Sequence, residues 1–232
     1  MNKSWSGLPL VIFGIGGCAR EIAMLIHDVN QNSCNPVFNF IGFISHINED
    51  VGKHVDGYPI VSSNALFPTF ARQFNLLGVC LGLANPIEKK KLNDDLIDYT
   101  NIVFPNIIHP GAFISKHSKN YFGHGVVVSS GVNITMNITL GNHVLLNRSC
   151  NVGHDSIIGD YCTVNPGAVV SGNVTIGPLT LIGASSSIRE KTKIGHNSVV
   201  GLGAIITKDV ESDTVVYNDA AVPRKFRNQK CD

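Results

Sequence analysis

The sequence predicts a small α/β domain with parallel strands, followed directly by a parallel β-solenoid. Three observations carry that expectation. Residues 1 to about 104 alternate buried-strand runs with helical runs, the pattern of βαβ units. A glycine phrase, "GIGGCARE", lies between the first strand and the first helix. From Phe122 to Ile206, a large apolar residue recurs every six positions.

The elements follow in order. "LPLVIFG" reads as a buried strand. "CAREIAMLIHDVN" is a helix with Ala19, Ile22, Ala23 and Ile26 on one face. "VFNFIGFIS" is a second strand, and "SSNALFPTFARQF" a second helix that Pro68 bends or interrupts. "LLGVCLGLA" is a third strand. Pro86 opens a polar-faced helix, "PIEKKKLNDDLIDY", and "NIVF" is a fourth strand. Between strand and helix, Gly14, Gly16 and Gly17 let backbone amides meet a phosphate at the helix start. The dinucleotide fingerprint is incomplete: Ala19 stands where a further glycine belongs, and no acid follows Phe43-Ile44-Ser45. NAD is disfavoured. Two readings stay open, a different nucleotide diphosphate or a turn that needs glycine only for close helix–strand packing.

The repeat runs Phe122, Val128, Ile134, Leu140, Leu146, Val152, Ile158, Val164, Val170, Ile176, Ile182, Ile188, Ile194, Val200, Ile206. Two residues ahead of each, from Val126 to Ala204, lies a row of mostly small or β-branched residues. Gly follows the large residue at 123, 141, 153, 159, 177, 183, 195 and 201, where the chain has to turn. Three hexapeptides make one coil of a three-faced prism with the large residues inside, and no coil buries its apolar side alone. The run gives five coils. Ile108 and Ile114 share the rhythm two residues out of phase, as an initial coil with an insertion at "SKHSKNY". An antiparallel sandwich would need an alternation of two. The expected boundaries are 1–104, 105–214 and a tail, 215–232.

Composition narrows the function. The chain has 232 residues, 44% apolar and 15% charged, with 23 glycines and a net charge of +1. That suits a packed protein with many tight turns and gives no sign of a surface selected for nucleic acid or an anionic membrane. Cys18, Cys34, Cys80, Cys150, Cys162 and Cys231 have no metal-knuckle spacing, so no metal is expected. Cys150 and Cys162 fall in the small interior row as core thiols. Without a secretory signal, free thiols in a reducing, cytoplasmic compartment are expected. "LPLVIFGIGG" is too short to cross a bilayer, so no membrane insertion is expected.

The phrases "VIFGIGGCAREIA", "NRSCNVGHDSIIGDYCTVNPGA" and "VVYNDAAVPRK", with the hexapeptide run, resemble the hexapeptide-repeat sugar acyltransferases of bacteria. That family includes nucleotide-linked 4-amino-sugar N-acetyltransferases and sialic acid O-acetyltransferase-like proteins. The resemblance implies a left-handed β-helix, a homotrimer with sites between prisms, and acetyl-CoA as cosubstrate. It implies that His154 is the general base, with Asp155 orienting its ring. It places the backbone N–H of Gly172, eighteen residues on, at the thioester oxygen. Asn147 is implied near the sugar, and Gly14, Gly16, Gly17 and Cys18 at the nucleotide. Acetyl-CoA is expected along the prism, past Ala184 and Ser185 to Gly201 and Gly203, with Lys208, Arg224 and Lys225 at its phosphates.

Four departures stand out. Cys18 replaces the usual His or Lys after the paired glycines, and Ser45-His46 replaces acids at the second strand's end. Thr163 stands where some members have a second histidine. Asn218 to Ala221 read "NDAA" in place of "GNPA".

The chemistry fits these residues. A neutral amine attacks the thioester and sheds a proton, which a histidine takes near neutral pH. His124, His143 and His196 occupy corner or outer slots without a following acid, and His109 sits at the domain junction, where a structural role is favoured. The leading expectation is N-acetylation of a nucleotide-linked 4-amino-4,6-dideoxy sugar in bacterial polysaccharide biosynthesis. The alternatives are O-acetylation of a sugar such as sialic acid, and a non-catalytic scaffold.

Overall fold

The computed structural model describes residues 5–218, so Arg224 and Lys225 lie outside the described residues. The α/β domain comprises β1 (Leu8–Phe13), α1 (Gly17–Gln31), β2 (Phe38–Ser45), β3 (His54–Val55), β4 (Tyr58–Ser63), α2 (Phe67–Ala71), β5 (Leu77–Leu81), α3 (Pro86–Leu96) and β6 (Ile102–Val103). The sheet order is β3-β4-β2-β1-β5-β6, parallel apart from the β3–β4 hairpin.

Two expectations need correction. β4 occupies Tyr58–Ser63, where the sequence reading had no strand and began a helix at Ser62. The missed signal is Asp56-Gly57, both at positive φ, the dipeptide that turns a two-residue hairpin. α2 is only five residues long, and Pro68 lies in its first turn, where its missing N–H costs nothing. Pro68 therefore opens the helix and does not bend it. The helix–strand approach normally made by a third glycine is supplied from the other side. A Cβ on Gly82 would come within 2.7 Å of the Ala19 methyl.

The second part is a left-handed parallel β-helix of two-residue strands, from Ile107–Ile108 to Val215–Val216. Face 1 holds seven strands, including Val127–Val128, Leu145–Leu146 and Thr163–Val164. Face 2 holds six, including Asn151–Val152 and Val169–Val170, and face 3 holds five, including Ile157–Ile158. Both repeat rows point inward, and Cys150 and Cys162 are fully buried. Ile107–Ile108, Phe113–Ile114 and Tyr121–Phe122 form the initial coil, so the insertion at "SKHSKNY" is real and the prism begins two strands before the strict repeat.

The reason for the repeated glycines also needs correction. None of the glycines that follow the large row has positive φ. A Cβ there would collide with the coil above, as at Gly177, where it would lie 2.5 Å from the His196 nitrogen. The turn itself is made two residues later, by left-handed residues such as Asp155, Tyr161, Leu179 and Asn197.

The α/β domain sits on face 1. Ile107, Val127 and Leu145 share a core with Leu25 and Ile26 of α1, while α3 reaches the corners between faces 3 and 1. His109 joins α1 to the first coil through Asp28, 3.2 Å away. No described helix is long and apolar enough to cross a membrane.

Buried thiols set a pH limit. Burial pushes Cys18 up to about 11 and Cys150 and Cys162 up to about 12, and raises Cys80 as well. The unfolded chain releases these protons from about pH 9, where the folded chain still holds them, so rising pH favours unfolding. Lys89, lowered to about 8, acts in the opposite direction, but it is one group against four. Thermal melts are expected to fall by about 5 °C or more from about pH 8.5 to about pH 10.5. A flat or rising melting temperature would contradict this balance.

Candidate active site

His154 follows Gly153 at the corner between faces 2 and 3, and its side chain is 58% exposed. Its Nδ1 lies 2.8 Å from Asp155 Oδ2. The other carboxylate oxygen, Oδ1, accepts a hydrogen bond from Asn137 Nδ2, one coil below, at 2.9 Å. Those two contacts, Asn137 first, hold the Asp155 carboxyl below the usual carboxylate range. Asp155 is itself the left-handed corner residue, with φ 59°, which turns its carboxylate back along its own corner toward the preceding ring. With Asp155 on Nδ1, Nε2 is the free edge of the imidazole.

That edge lies against Gly172. A Cβ on Gly172 would stand 2.5 Å from His154 Nε2. The Gly172 N–H has no hydrogen-bond acceptor among the described residues, whereas its carbonyl accepts from Lys191 N–H. A proton acceptor and an unused donor thus share one corner on adjacent coils. Asn137 belongs to this cluster and was missed in the sequence; it lies seventeen residues before His154, on the coil below.

The remaining expected residues lie elsewhere. Asn147, Ala184, Ser185, Gly201 and Gly203 all fall on the corners between faces 1 and 2. Asn147 Nδ2 donates to Asn165 Oδ1 at 3.3 Å. Lys208 lies on the edge between faces 2 and 3 with His154, in a corner two residues shorter than those before it. One chain therefore splits the set over two edges, with face 2 between them. The outward row of that face, Phe113, Asn133, Asn151, Val169, Ser187 and Ile205, carries no charge.

The glycine phrase forms a separate cleft of about 660 Å³ at the carboxyl ends of β1, β2, β4 and β5. Gly14, Gly16, Gly17 and Cys18 line one side, with His46 and Asn64 beside them. Glu88, Lys91 and Asp95 of α3 form the opposite wall, which the sequence reading had not connected to the cleft. Gly14 needs its positive φ of 103°. Gly16 and Gly17 do not have positive φ, and a Cβ on either would meet nothing within 4 Å. Packing therefore does not explain glycine at those two positions. The cleft rides on face 1, opposite the edge that carries His154.

Thr163 is fully buried, donating to the Ala84 carbonyl at 2.7 Å and accepting from Lys89. His143, expected in an outer slot, is 2% exposed because Phe104 and Tyr161 cover its corner. Burial pushes it down to about 3, so it is neutral. Among the described residues, no group of three or more His, Cys, Asp or Glu is placed to hold a metal.

Comparison with known proteins agrees with this architecture. The family description "bacterial transferase hexapeptide (six repeats)" matches residues 137–172. GDP-perosamine N-acetyltransferase of Escherichia coli O157:H7 is 27% identical over 154 residues, covering 66% of this chain and 65% of that relative. The chain thus spans just under two thirds of the relative it matches. A perosamine N-acetyltransferase from Caulobacter crescentus, solved in complex with CoA and GDP-perosamine, superposes with a TM-score of 0.80. It is 22% identical, over 89% of this chain and 92% of that one. WeeI from Acinetobacter baumannii AYE superposes with a TM-score of 0.77 at 25% identity, over 91% and 97% of the two chains. The chain shares both the repeat and the two-domain fold of the hexapeptide-repeat sugar acyltransferases.

Proposed function

We propose that the protein is an acetyl-CoA-dependent N-acetyltransferase acting on the amino group of a nucleotide-linked 4-amino-4,6-dideoxy sugar. The observation that carries this reading is the corner where His154 Nε2 and the Gly172 N–H, unpaired among the described residues, lie together. The neutral amine attacks the thioester carbon as Nε2 takes its proton. The carbonyl oxygen gains the negative charge and accepts the Gly172 N–H, a donor worth about 3 kcal/mol to such a transition state. Collapse expels the CoA thiolate, which takes the proton back from the imidazolium. Asp155 holds the ring in the tautomer that leaves Nε2 free.

The cleft supports a nucleotide-linked acceptor, because Gly16 and Gly17 present open backbone at the start of α1, which has no acid in its first turn. The curated GDP-perosamine enzyme supports the same acceptor class. A sugar held in this cleft reaches the His154 of a neighbouring chain, since the cleft and its own His154 are on opposite sides of the prism. A homotrimer with sites between prisms fits that division and the uncharged outer row of face 2. Acetyl-CoA would then lie between the edge bearing Ala184, Ser185, Gly201 and Gly203 and a neighbour's edge bearing His154 and Lys208. Cytoplasmic polysaccharide biosynthesis is the setting this chemistry serves.

The test follows free CoA thiol from acetyl-CoA against UDP-, dTDP- and GDP-linked 4-amino sugars, with free and CMP-linked sialic acid beside them. Turnover with one nucleotide-linked amine is expected. Turnover with a sialic acid alone would replace this reading by O-acetylation, and a folded protein that binds no acetyl-CoA would leave a scaffold.

A further inference from the structure

We infer that Lys89 is a buried counter-charge for the diphosphate of the bound nucleotide, acting through the wall of the cleft without touching the ligand. This rests on the nucleotide reading above. Lys89, in the first turns of α3, is 1% exposed. Its Nζ donates to the His143 carbonyl at 2.9 Å, the Cys162 carbonyl at 3.1 Å and Thr163 Oγ1 at 3.0 Å. These acceptors are neutral, and Lys89 forms no ion pair among the described residues. The titratable groups around it carry no charge either. Cys18 on α1, Cys80 on β5 and Cys162 on the prism are thiols held protonated by burial, and His143 is neutral. Glu88 precedes it in the chain but lines the cleft.

A buried ammonium without an anion is costly, and three dipoles offset only part of that cost. Burial accordingly lowers Lys89 to about 8. The cleft supplies the missing partner. Thr163 Oγ1, which accepts from Lys89, donates to the carbonyl of Ala84, and Ala84 lines the cleft. Cys18, whose thiol feels the Lys89 charge, lines the same cleft beside Gly16 and Gly17. The ammonium and the positive end of α1 thus bear on the same anion from two directions.

Linkage makes this measurable. An anion that favours charged Lys89 raises its pKa, so binding takes up protons near pH 8, and affinity falls as pH rises through that value. Calorimetric titration of the whole protein with GDP, UDP and dTDP, at pH 8 in two buffers of different ionisation heat, gives the proton count. About half a proton taken up per nucleotide is expected for the wild type. In Lys89→Met the uptake vanishes and affinity falls about tenfold, the scale of one charge acting over about 10 Å of protein. His46 also lines the cleft, so His46→Gln serves as the second variant and keeps the uptake if Lys89 is its source.

Melting curves and acetyl-CoA binding show whether Lys89→Met folds. If it does not, the wild-type and His46→Gln proton counts decide. Nucleotide binding without proton uptake, or uptake lost in His46→Gln and kept in Lys89→Met, overturns the counter-charge and leaves the nucleotide site standing. Failure of all three nucleotides to bind overturns both.

Discussion

His154→Ala is expected to lower acetyl transfer by about 10²–10⁴-fold, the usual contribution of a positioned general base, while the fold and acetyl-CoA binding persist. The ring is more than half exposed on a prism edge and supports no part of the core, so truncation leaves both repeat rows intact. Its only side-chain hydrogen bond among the described residues is to Asp155, which keeps Asn137 when the imidazole is gone. The measurement is CoA release at saturating acetyl-CoA, with melting temperature as the control. A variant within tenfold of the wild type would show that His154 is not the base.

A pair of glycine substitutions one coil apart separates chemistry from stacking. In Gly172→Ala the new methyl meets the His154 ring, with Nε2 at 2.5 Å and Cε1 at 2.7 Å. A side chain on an open edge swings away at little cost, so the protein stays folded. The base leaves its place beside the Gly172 N–H, and transfer drops about a hundredfold. In Gly153→Ala the methyl meets backbone, with Gly172 N and Ser171 C both at 2.6 Å. Backbone on both sides is locked in parallel hydrogen bonds, such as Gly153 N–H to the Val170 carbonyl at 2.8 Å. That crowding costs about 1–3 kcal/mol. Melting temperature and rate measured on both variants are expected to move in complementary fashion. Equal melting temperatures would contradict the stacking argument, and an active Gly172→Ala would contradict the catalytic one.

The prism was legible because its period is redundant: fifteen large residues in phase leave no second solution, and Cys150 and Cys162 declared themselves interior by their row. His154, Asp155 and Gly172 were singled out by the resemblance of their phrase, and the coil length of eighteen residues explains why His154 and Gly172 meet at one corner. β4 was not. "YPIVSS" is short, begins with Tyr-Pro and runs into a helical phrase, and only the Asp56-Gly57 turn before it marks a strand. Lys89 was missed because "EKKK" reads as a solvated face. Which of three adjacent lysines is buried depends on how α3 meets the prism corner, through contacts between residues 54 to 74 positions apart. The glycines after the large row were found, but for the wrong reason. A sequence shows that a residue is small before it shows whether a dihedral or a neighbouring backbone requires it.

The coil length also sets how this molecule tolerates changes of length. From Val127 to Ile206 paired residues are eighteen apart, whereas Ile107 pairs with a residue twenty on and Val199 with one sixteen on. Two residues are gained at a corner near one end and two lost at a corner near the other, and neither change disturbs the phase between them. Duplicating a whole coil would lengthen the prism and leave every side chain on its present edge. Inserting a single hexapeptide ahead of Gly153 would not. Everything downstream would advance by one face, and His154 would be carried under α3, out of reach of any acceptor.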